Sequence, residues 1–142
     1  MATKPSCVIF DLDGTLALLG DRSPYDASKA EADRLNDAVH FVYTAIVAGA
    51  PGTAMILLSG RSGRWRPETE RWLAAHSLRY DALYMREAGD RRPDTVVKRE
   101  IYETHIAPHY TVRVVFEDRD KVVRLWRDEL HLPCFQVAWG DF

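Results

Sequence analysis

Cys7-Val8-Ile9-Phe10-Asp11-Leu12-Asp13-Gly14-Thr15 is the most informative segment of this sequence. Its first four residues are apolar and mostly β-branched or aromatic, which predicts a short buried β-strand. Two carboxylates, separated by one residue, follow that strand, and Gly14 then allows a sharp turn of the backbone. Because open α/β sheets bind ligands at the carboxyl ends of their strands, we expect a functional site at Asp11 and Asp13.

The rest of the chain alternates between strand and helix patterns. We predict further strands over 54–58, 82–85, 111–116 and 134–137, and helices over 28–48, 68–76, 94–105 and 121–130. In the first of these helices, an apolar stripe marks the face expected to be buried: Leu35, Val39, Val42 and Ile46. Such alternation is typical of a parallel sheet with helices on both faces. The predicted fold is a single doubly wound, Rossmann-like α/β domain over residues 1–142, with a minimal cap.

Composition is that of a globular domain without a membrane segment. The chain has 142 residues, of which 46% are hydrophobic and 28% charged, and its net charge of −2 argues against a globally basic nucleic-acid binder. The sequence has neither an apolar run of membrane-spanning length nor a signal-peptide core, so we expect a cytoplasmic location and no membrane partner. Cys7 and Cys134 fall in predicted strands and are expected to be buried thiols.

Polar residues also follow two other predicted strands, and one lysine lies in the helix before the fourth strand. The combined set is Asp11, Asp13, Ser59, Gly60, Arg61, Lys98, Glu117 and Asp118. One carboxylate of such a set can attack phosphorus while another transfers protons, and hydroxyl, amide and ammonium groups can bind phosphoryl oxygens. Oxygen ligands beside a phosphate suit Mg²⁺. The set therefore predicts phosphoryl transfer with Mg²⁺ as cofactor.

The order of these motifs resembles that of the haloacid dehalogenase superfamily, whose phosphatases form an aspartyl-phosphate. More specifically, residues 7–142 resemble the 3′-phosphatase domain of phage-type polynucleotide kinase-phosphatases. The resemblance extends beyond the strand ends to the segments 22–26, 94–98, 105–109, 122–127 and 136–142. The GxxxxGK[ST] pattern of a kinase P-loop does not occur in this sequence.

The resemblance implies a phosphatase that removes 3′-phosphate from RNA or DNA ends, with 2′-phosphate and 2′,3′-cyclic phosphate as further substrates. It implies that Asp11 is the nucleophile, that Asp13 is the general acid and base, and that Ser59 and Lys98 hold the phosphoryl group. The predicted metal ligands are Asp11, Asp13, Glu117 and Asp118, with Glu117 standing where the family usually has aspartate.

Further residues are predicted to contact the substrate. Arg22, Arg61 and Asp94 match positions that the family uses, and the Gly60 amide can bind a phosphoryl oxygen. In the segment 61–66, arginines flank Trp65, which is typical of a surface that binds phosphates and stacks a base. Arg64 and Trp65 are therefore added to the set. The expected partners are RNA or DNA 3′ ends and a kinase or ligase on another chain.

Other interpretations of the same residues remain open. The two aspartates could form an Asx turn, and Ser59-Gly60 could be a simple turn. Asp94 could cap a helix or form a surface ion pair with Lys98, four residues later. Arg22, Arg61 and the 61–66 segment could be solvated. At the level of function, the alternatives are a phosphomonoesterase of small nucleotides and a catalytically silent module that binds nucleic-acid ends.

Overall fold

The protein's structure is a computed structural model, which describes residues 3–142. The strands are β1 (Ser6–Phe10), β2 (Ala17–Leu18), β3 (Arg34–Leu35), β4 (Ala54–Ser62), β5 (Ala82–Arg86), β6 (Thr111–Glu117) and β7 (Cys134–Gln136). Five of them form a sheet in the order β5-β4-β1-β6-β7, and every neighbouring pair in it is parallel. The predicted parallel sheet is confirmed.

Helices cover both faces of this sheet, as predicted. They are α1 (Asp37–Gly49), α2 (Arg66–Ala75), α3 (Asp94–Ile101) and α4 (Asp120–Arg124), and the last two continue as π-helical turns over Tyr102–Ile106 and Leu125–Glu129. Alternate residues of β1 point to opposite faces. Val8 and Phe10 pack against α1 and α2, whereas Cys7 and Ile9 pack against α4 and the turn that follows α3.

The prediction of a helix over 28–48 is wrong in its first part. Helix α1 begins at Asp37, because Asn36 is the N-cap residue and its side chain accepts a hydrogen bond from the Val39 N–H. Residues 17–35 instead form a small flap, in which β2 and β3 pair antiparallel and enclose a loop with one 3-10 turn. Val42, expected on the buried stripe, is 37% exposed. The flap is the minimal cap of this domain.

The strand order brings the predicted site residues to one edge of the sheet. β1 lies between β4 and β6, so the carboxyl ends of these three strands are adjacent. The chain leaves β1 through Gly14, whose φ of +84° lies in the left-handed region. A Cβ atom at Gly14 would overlap the Asp118 carboxylate beyond β6. The turns after β1 and β6 therefore touch, which fixes the carboxylates of both strand ends in one place.

Two further expectations concern membranes and thiols. None of the helices within residues 3–142 combines the length and apolar character needed to span a membrane. Cys7 and Cys134 are both buried and free, which confirms the predicted buried thiols.

Candidate active site

Asp11 is held by a buried lysine and a threonine. Lys98 Nζ on α3 lies 2.9 Å from Asp11 Oδ1 and 2.8 Å from Glu117 Oε2. The Thr15 hydroxyl donates to the other oxygen, Asp11 Oδ2, at 3.1 Å. Lys98 thus forms its ion pairs with Asp11 and Glu117, and the interpretation of a surface ion pair with Asp94 is wrong.

The charge state of this buried cluster follows from its composition. Burial disfavours the charged ammonium of Lys98, but the Asp11 and Glu117 carboxylates outweigh it and raise the lysine's pKa above its ordinary value. Burial, together with the negative charge of Glu117, raises the pKa of Asp11 well above its usual range and that of Asp118 to about 6. The single positive charge of Lys98 is therefore not enough to neutralise the carboxylates of Asp11, Glu117 and Asp118.

A divalent cation fits that deficit. One carboxylate oxygen from each of Asp11, Glu117 and Asp118 lies within 4.8 Å of the other two, and all three residues are buried. Hard oxygen ligands of this kind suit Mg²⁺. The Asp13 side chain does not join this group of carboxylates, so the structure places three of the four predicted metal ligands together.

The Asp13 carboxylate lies instead against two guanidinium groups. Arg61 Nη2 is 2.5 Å and Arg22 Nη2 3.2 Å from Asp13 Oδ1. Both arginines also bind Asp33, at 3.2 and 2.7 Å respectively. Arg61 donates a further hydrogen bond to the Thr69 hydroxyl on α2, and its side chain is only 1% exposed. The interpretation of Arg61 as a solvated surface charge is therefore wrong, and Arg22 is mostly enclosed as well.

The end of β4 lies close to the beginning of α3. Ser59 is buried, and its hydroxyl oxygen accepts the Arg61 N–H at 3.0 Å, which leaves the hydroxyl proton free to be donated elsewhere. A Cβ atom at Gly60 would lie 2.5 Å from Asp94 Oδ1. No side chain larger than glycine's fits here without moving Asp94.

Asp94 joins two arginines at the rim of the site. Its Oδ1 atom is 2.5 Å from Arg86 Nη2, and its Oδ2 atom is 2.9 Å from Arg119 Nη1. Burial alone would raise the pKa of Asp94, but Lys98, Arg86 and Arg119 together hold it below its ordinary value. Asp94 is the first residue of α3 rather than its N-cap, so that interpretation is also wrong.

These groups line an open cleft of about 800 Å³. The residues described above that line it are Asp11, Asp13, Gly60, Arg61, Asp94, Lys98, Glu117 and Asp118. Tyr25 of the flap also lines the cleft, and 87% of its surface is exposed. Arg64 and Trp65 also line the cleft, and the Arg64 guanidinium lies 4.7 Å from the ring centroid of Trp65.

Some residues of the site were not anticipated. Asp33 fell within the predicted helix over 28–48, which began too early. Asn36-Asp37, just before the periodic apolar residues, is a typical helix start, and it would have assigned Asp33 to a loop. Arg86 and Arg119 carry no local signal, because their partner Asp94 lies 8 and 25 residues away along the chain, outside the i+3 or i+4 spacing of a local ion pair.

Comparison with known proteins agrees with this fold. The model of the family described as the polynucleotide kinase PNKP phosphatase domain matches residues 5–142. A solved structure of a Pnkp1/Rnl/Hen1 complex contains a chain that is 46% identical, with a TM-score of 0.94, over 100% of this chain and 49% of that chain. A structure of the Pnkp1/Rnl/Hen1 RNA repair complex gives 47% identity and a TM-score of 0.93 over 98% of this chain and 44% of that one.

A curated relative points the same way. A protein of Autographa californica nuclear polyhedrosis virus, provisionally described as a bifunctional polynucleotide kinase/RNA ligase, is 33% identical over 141 residues, which are 97% of this chain and 20% of the viral protein. The chain thus spans a fifth of that relative and just under half of the two structural neighbours. The predicted family is confirmed: this chain belongs to the family of polynucleotide kinase PNKP phosphatase domains, and it is a phosphatase.

Proposed function

We propose that the chain is a Mg²⁺-dependent polynucleotide 3′-phosphatase that acts on RNA or DNA ends through an aspartyl-phosphate on Asp11. The observation that carries this proposal is the buried contact of Asp11 with Lys98 at an open cleft. The ammonium and the Thr15 hydroxyl fix the orientation of the carboxylate. Lys98 is also a cation that can attract the transferring phosphoryl group to the nucleophile.

The reaction divides into two displacements at phosphorus. In the first, an Asp11 oxygen attacks the phosphorus, the bond to the 3′ oxygen breaks, and Asp13 gives its proton to that oxygen. In the second, Asp13 takes a proton from a water molecule whose oxygen attacks the phosphorus, which releases inorganic phosphate and restores Asp11. Ser59, Gly60 and Lys98 would bind the non-reacting phosphoryl oxygens.

Asp11, Asp118 and a backbone carbonyl near Asp13 would hold Mg²⁺. Bound Mg²⁺ would neutralise charge on the phosphate and on the carboxylates that surround it. Glu117 already accepts a hydrogen bond from Lys98, so it would orient this lysine in addition to lending negative charge to the metal site. The shortage of positive charge among the buried carboxylates supports this assignment.

The charges of the cleft support a polymer as the substrate. Five cations of the cleft form ion pairs with carboxylates: Arg61, Arg86, Arg92, Lys98 and Arg119. Arg64, Arg91 and Lys121 have no ion-pair partner within residues 3–142. Unpaired cations at an open cleft are available to the additional phosphates of a strand, and Trp65 and Tyr25 offer aromatic surfaces for bases.

The relatives suggest the biological setting. Their names refer to RNA repair, to Rnl and Hen1, and to a polynucleotide kinase/RNA ligase. We therefore propose that this phosphatase prepares RNA ends for a kinase and a ligase that lie on the same or on other chains. A cytoplasmic location stays a prediction.

The test is phosphate release from a 3′-phosphorylated oligonucleotide, in RNA and DNA forms, with and without Mg²⁺. The matching 3′-mononucleotide and a 5′-phosphorylated strand are the comparison substrates. We expect release that favours the 3′-phosphorylated strand, that requires Mg²⁺, and that Asp11→Asn abolishes. Asp21→Asn, at an exposed position in the flap, is the matched control and should retain the activity.

The remaining outcomes separate the alternatives. Release from the mononucleotide with no preference for the strand would make the chain a small-molecule phosphomonoesterase. A chain that releases phosphate from no substrate would be a silent end-binding module. Appreciable activity of Asp11→Asn would contradict the covalent mechanism.

A further inference from the structure

We propose that Asp33 of the flap is a positioning residue: it holds Arg22 and Arg61 against Asp13 and so fixes the direction in which Asp13 delivers its proton. This inference rests on the proposed phosphatase function and on the role of Asp13 within it. Asp33 itself lies outside the set of residues that line the cleft, so it acts through its neighbours.

The contacts of Asp33 join both arginines. Arg22 donates from Nε to Asp33 Oδ1 and from Nη2 to Oδ2, each at 2.7 Å, which is the bidentate geometry of a strong carboxylate–guanidinium pair. Arg61 donates from Nη2 to Asp33 Oδ2 at 3.2 Å. The same Nη2 atoms of both arginines reach Asp13 Oδ1. Asp33 and Asp13 are thus bridged twice, once through each guanidinium group.

Asp33 is itself rigidly held. Its side chain is 2% exposed, its N–H donates to the Ala30 carbonyl at 3.0 Å, and its own carbonyl accepts the indole N–H of Trp72 at 2.8 Å. Trp72 is a fully buried residue of α2. The flap carboxylate is therefore fixed relative to the core, and through the arginines it transmits that position to Asp13.

Charge explains why a carboxylate is needed here. Two guanidinium groups around Asp13 alone would leave one positive charge uncompensated in a nearly enclosed space. Asp33 supplies the second negative charge, so both arginines can remain beside Asp13. Without it, an arginine would turn toward water or toward the substrate phosphate, and the Asp13 carboxylate would lose one of its two supports.

The experiment compares two leaving groups on the same preparation of Asp33→Asn. A 3′-phosphorylated oligonucleotide has a poor alkoxide leaving group that needs a proton from Asp13, whereas p-nitrophenyl phosphate has a good one that does not. General acid catalysis typically contributes about 10²–10⁴-fold, so a displaced acid should cost about 10–100-fold in kcat/KM with the oligonucleotide. With the aryl phosphate, kcat/KM reports only transfer to Asp11, and we expect it to fall less than about 3-fold.

The ratio of the two kcat/KM values is unaffected by partial unfolding, because inactive protein lowers both equally. Glu31→Gln is the matched control, since Glu31 is an exposed flap carboxylate that pairs with Arg71 on the surface, and its ratio should equal that of the wild type. Trp72→Phe removes the hydrogen bond to the Asp33 carbonyl and should shift the ratio in the same direction by a smaller factor.

Equal losses with both substrates, or no loss with either, would overturn the proposal. If wild type prefers another alkyl phosphate to the oligonucleotide, the proposed substrate is wrong, but the alkyl-to-aryl ratio still tests Asp33. Asp13→Asn should show the same leaving-group signature, and combining it with Asp33→Asn should cost little more than Asp13→Asn alone.

Discussion

At the scale of single residues, Gly14 connects the turn after β1 with the proposed metal ligand Asp118. Alanine at this position would have to adopt the same φ of +84°, which costs about 1 kcal/mol or more. An added methyl group would in addition meet the Asp118 carboxylate. Gly20 is a matched control, because its φ is +62° but the space around it is open to 4 Å. The two positions thus separate backbone strain from displacement of a ligand.

We expect Gly14→Ala to raise the Mg²⁺ concentration for half-maximal phosphate release by about 10–100-fold, the usual cost of disturbing the support of a metal ligand. Gly20→Ala should leave it unchanged within about threefold, although both variants lose stability through strain. Mg²⁺ titrations of the rate, beside urea unfolding, measure the two effects. If the variants lose Mg²⁺ affinity equally, Asp118 is not a ligand.

The residues that sequence could predict are those whose signal is local. Asp11 and Asp13 directly follow an apolar strand, and Ser59 and Glu117 lie at or just after the residues predicted to be strands, so the parallel sheet gathers them without further information. The partners of Asp13 are different. Arg61 binds Asp13 together with Asp33 and Thr69, and no spacing in the sequence links these residues.

At the scale of elements, the sheet was easier to predict than the first helix. The strands stand out as apolar β-branched runs, but residues 28–36 have a helical composition and yet belong to the flap. Tertiary pairing of β3 with β2 and the N-cap at Asn36 outweigh that local preference. As a result, the buried face of α1 is formed by Val39 and Tyr43, while Phe41 and Val42 lie outside.

A pair of alanine substitutions tests this orientation of α1. Tyr43 is 1% exposed, packs against Phe10 with ring centroids 4.8 Å apart, and donates its hydroxyl to the Arg79 carbonyl. We expect Tyr43→Ala to lower the free energy of unfolding by about 3–5 kcal/mol. Phe41 lies on the same helix and is 74% exposed, so Phe41→Ala should change the free energy of unfolding by less than about 0.5 kcal/mol. Equal losses in urea titrations would show that α1 is rotated.

At the scale of the whole molecule, net charge says little about the substrate. The chain is slightly acidic, with a net charge of −2, yet its cleft collects arginines and lysines from several elements. Many of them are already paired with carboxylates and serve the site's internal structure. Only cations without such partners can exchange counterions for substrate phosphates, so the salt dependence of binding should depend on Arg64, Arg91 and Lys121.

Replacing these three residues by glutamine should therefore flatten the salt dependence of KM for a 3′-phosphorylated strand. Each lost phosphate contact should lower the slope of log KM against log salt by about 0.7, the value for single strands. The kcat/KM for the matching mononucleotide should stay nearly constant, because the reacting phosphate is bound deeper in the cleft. Replacing Arg71 and Arg99, which are surface cations paired outside the cleft, is the control and should leave the slope unchanged. An unchanged slope in the triple variant would show that the strand takes another path across the protein.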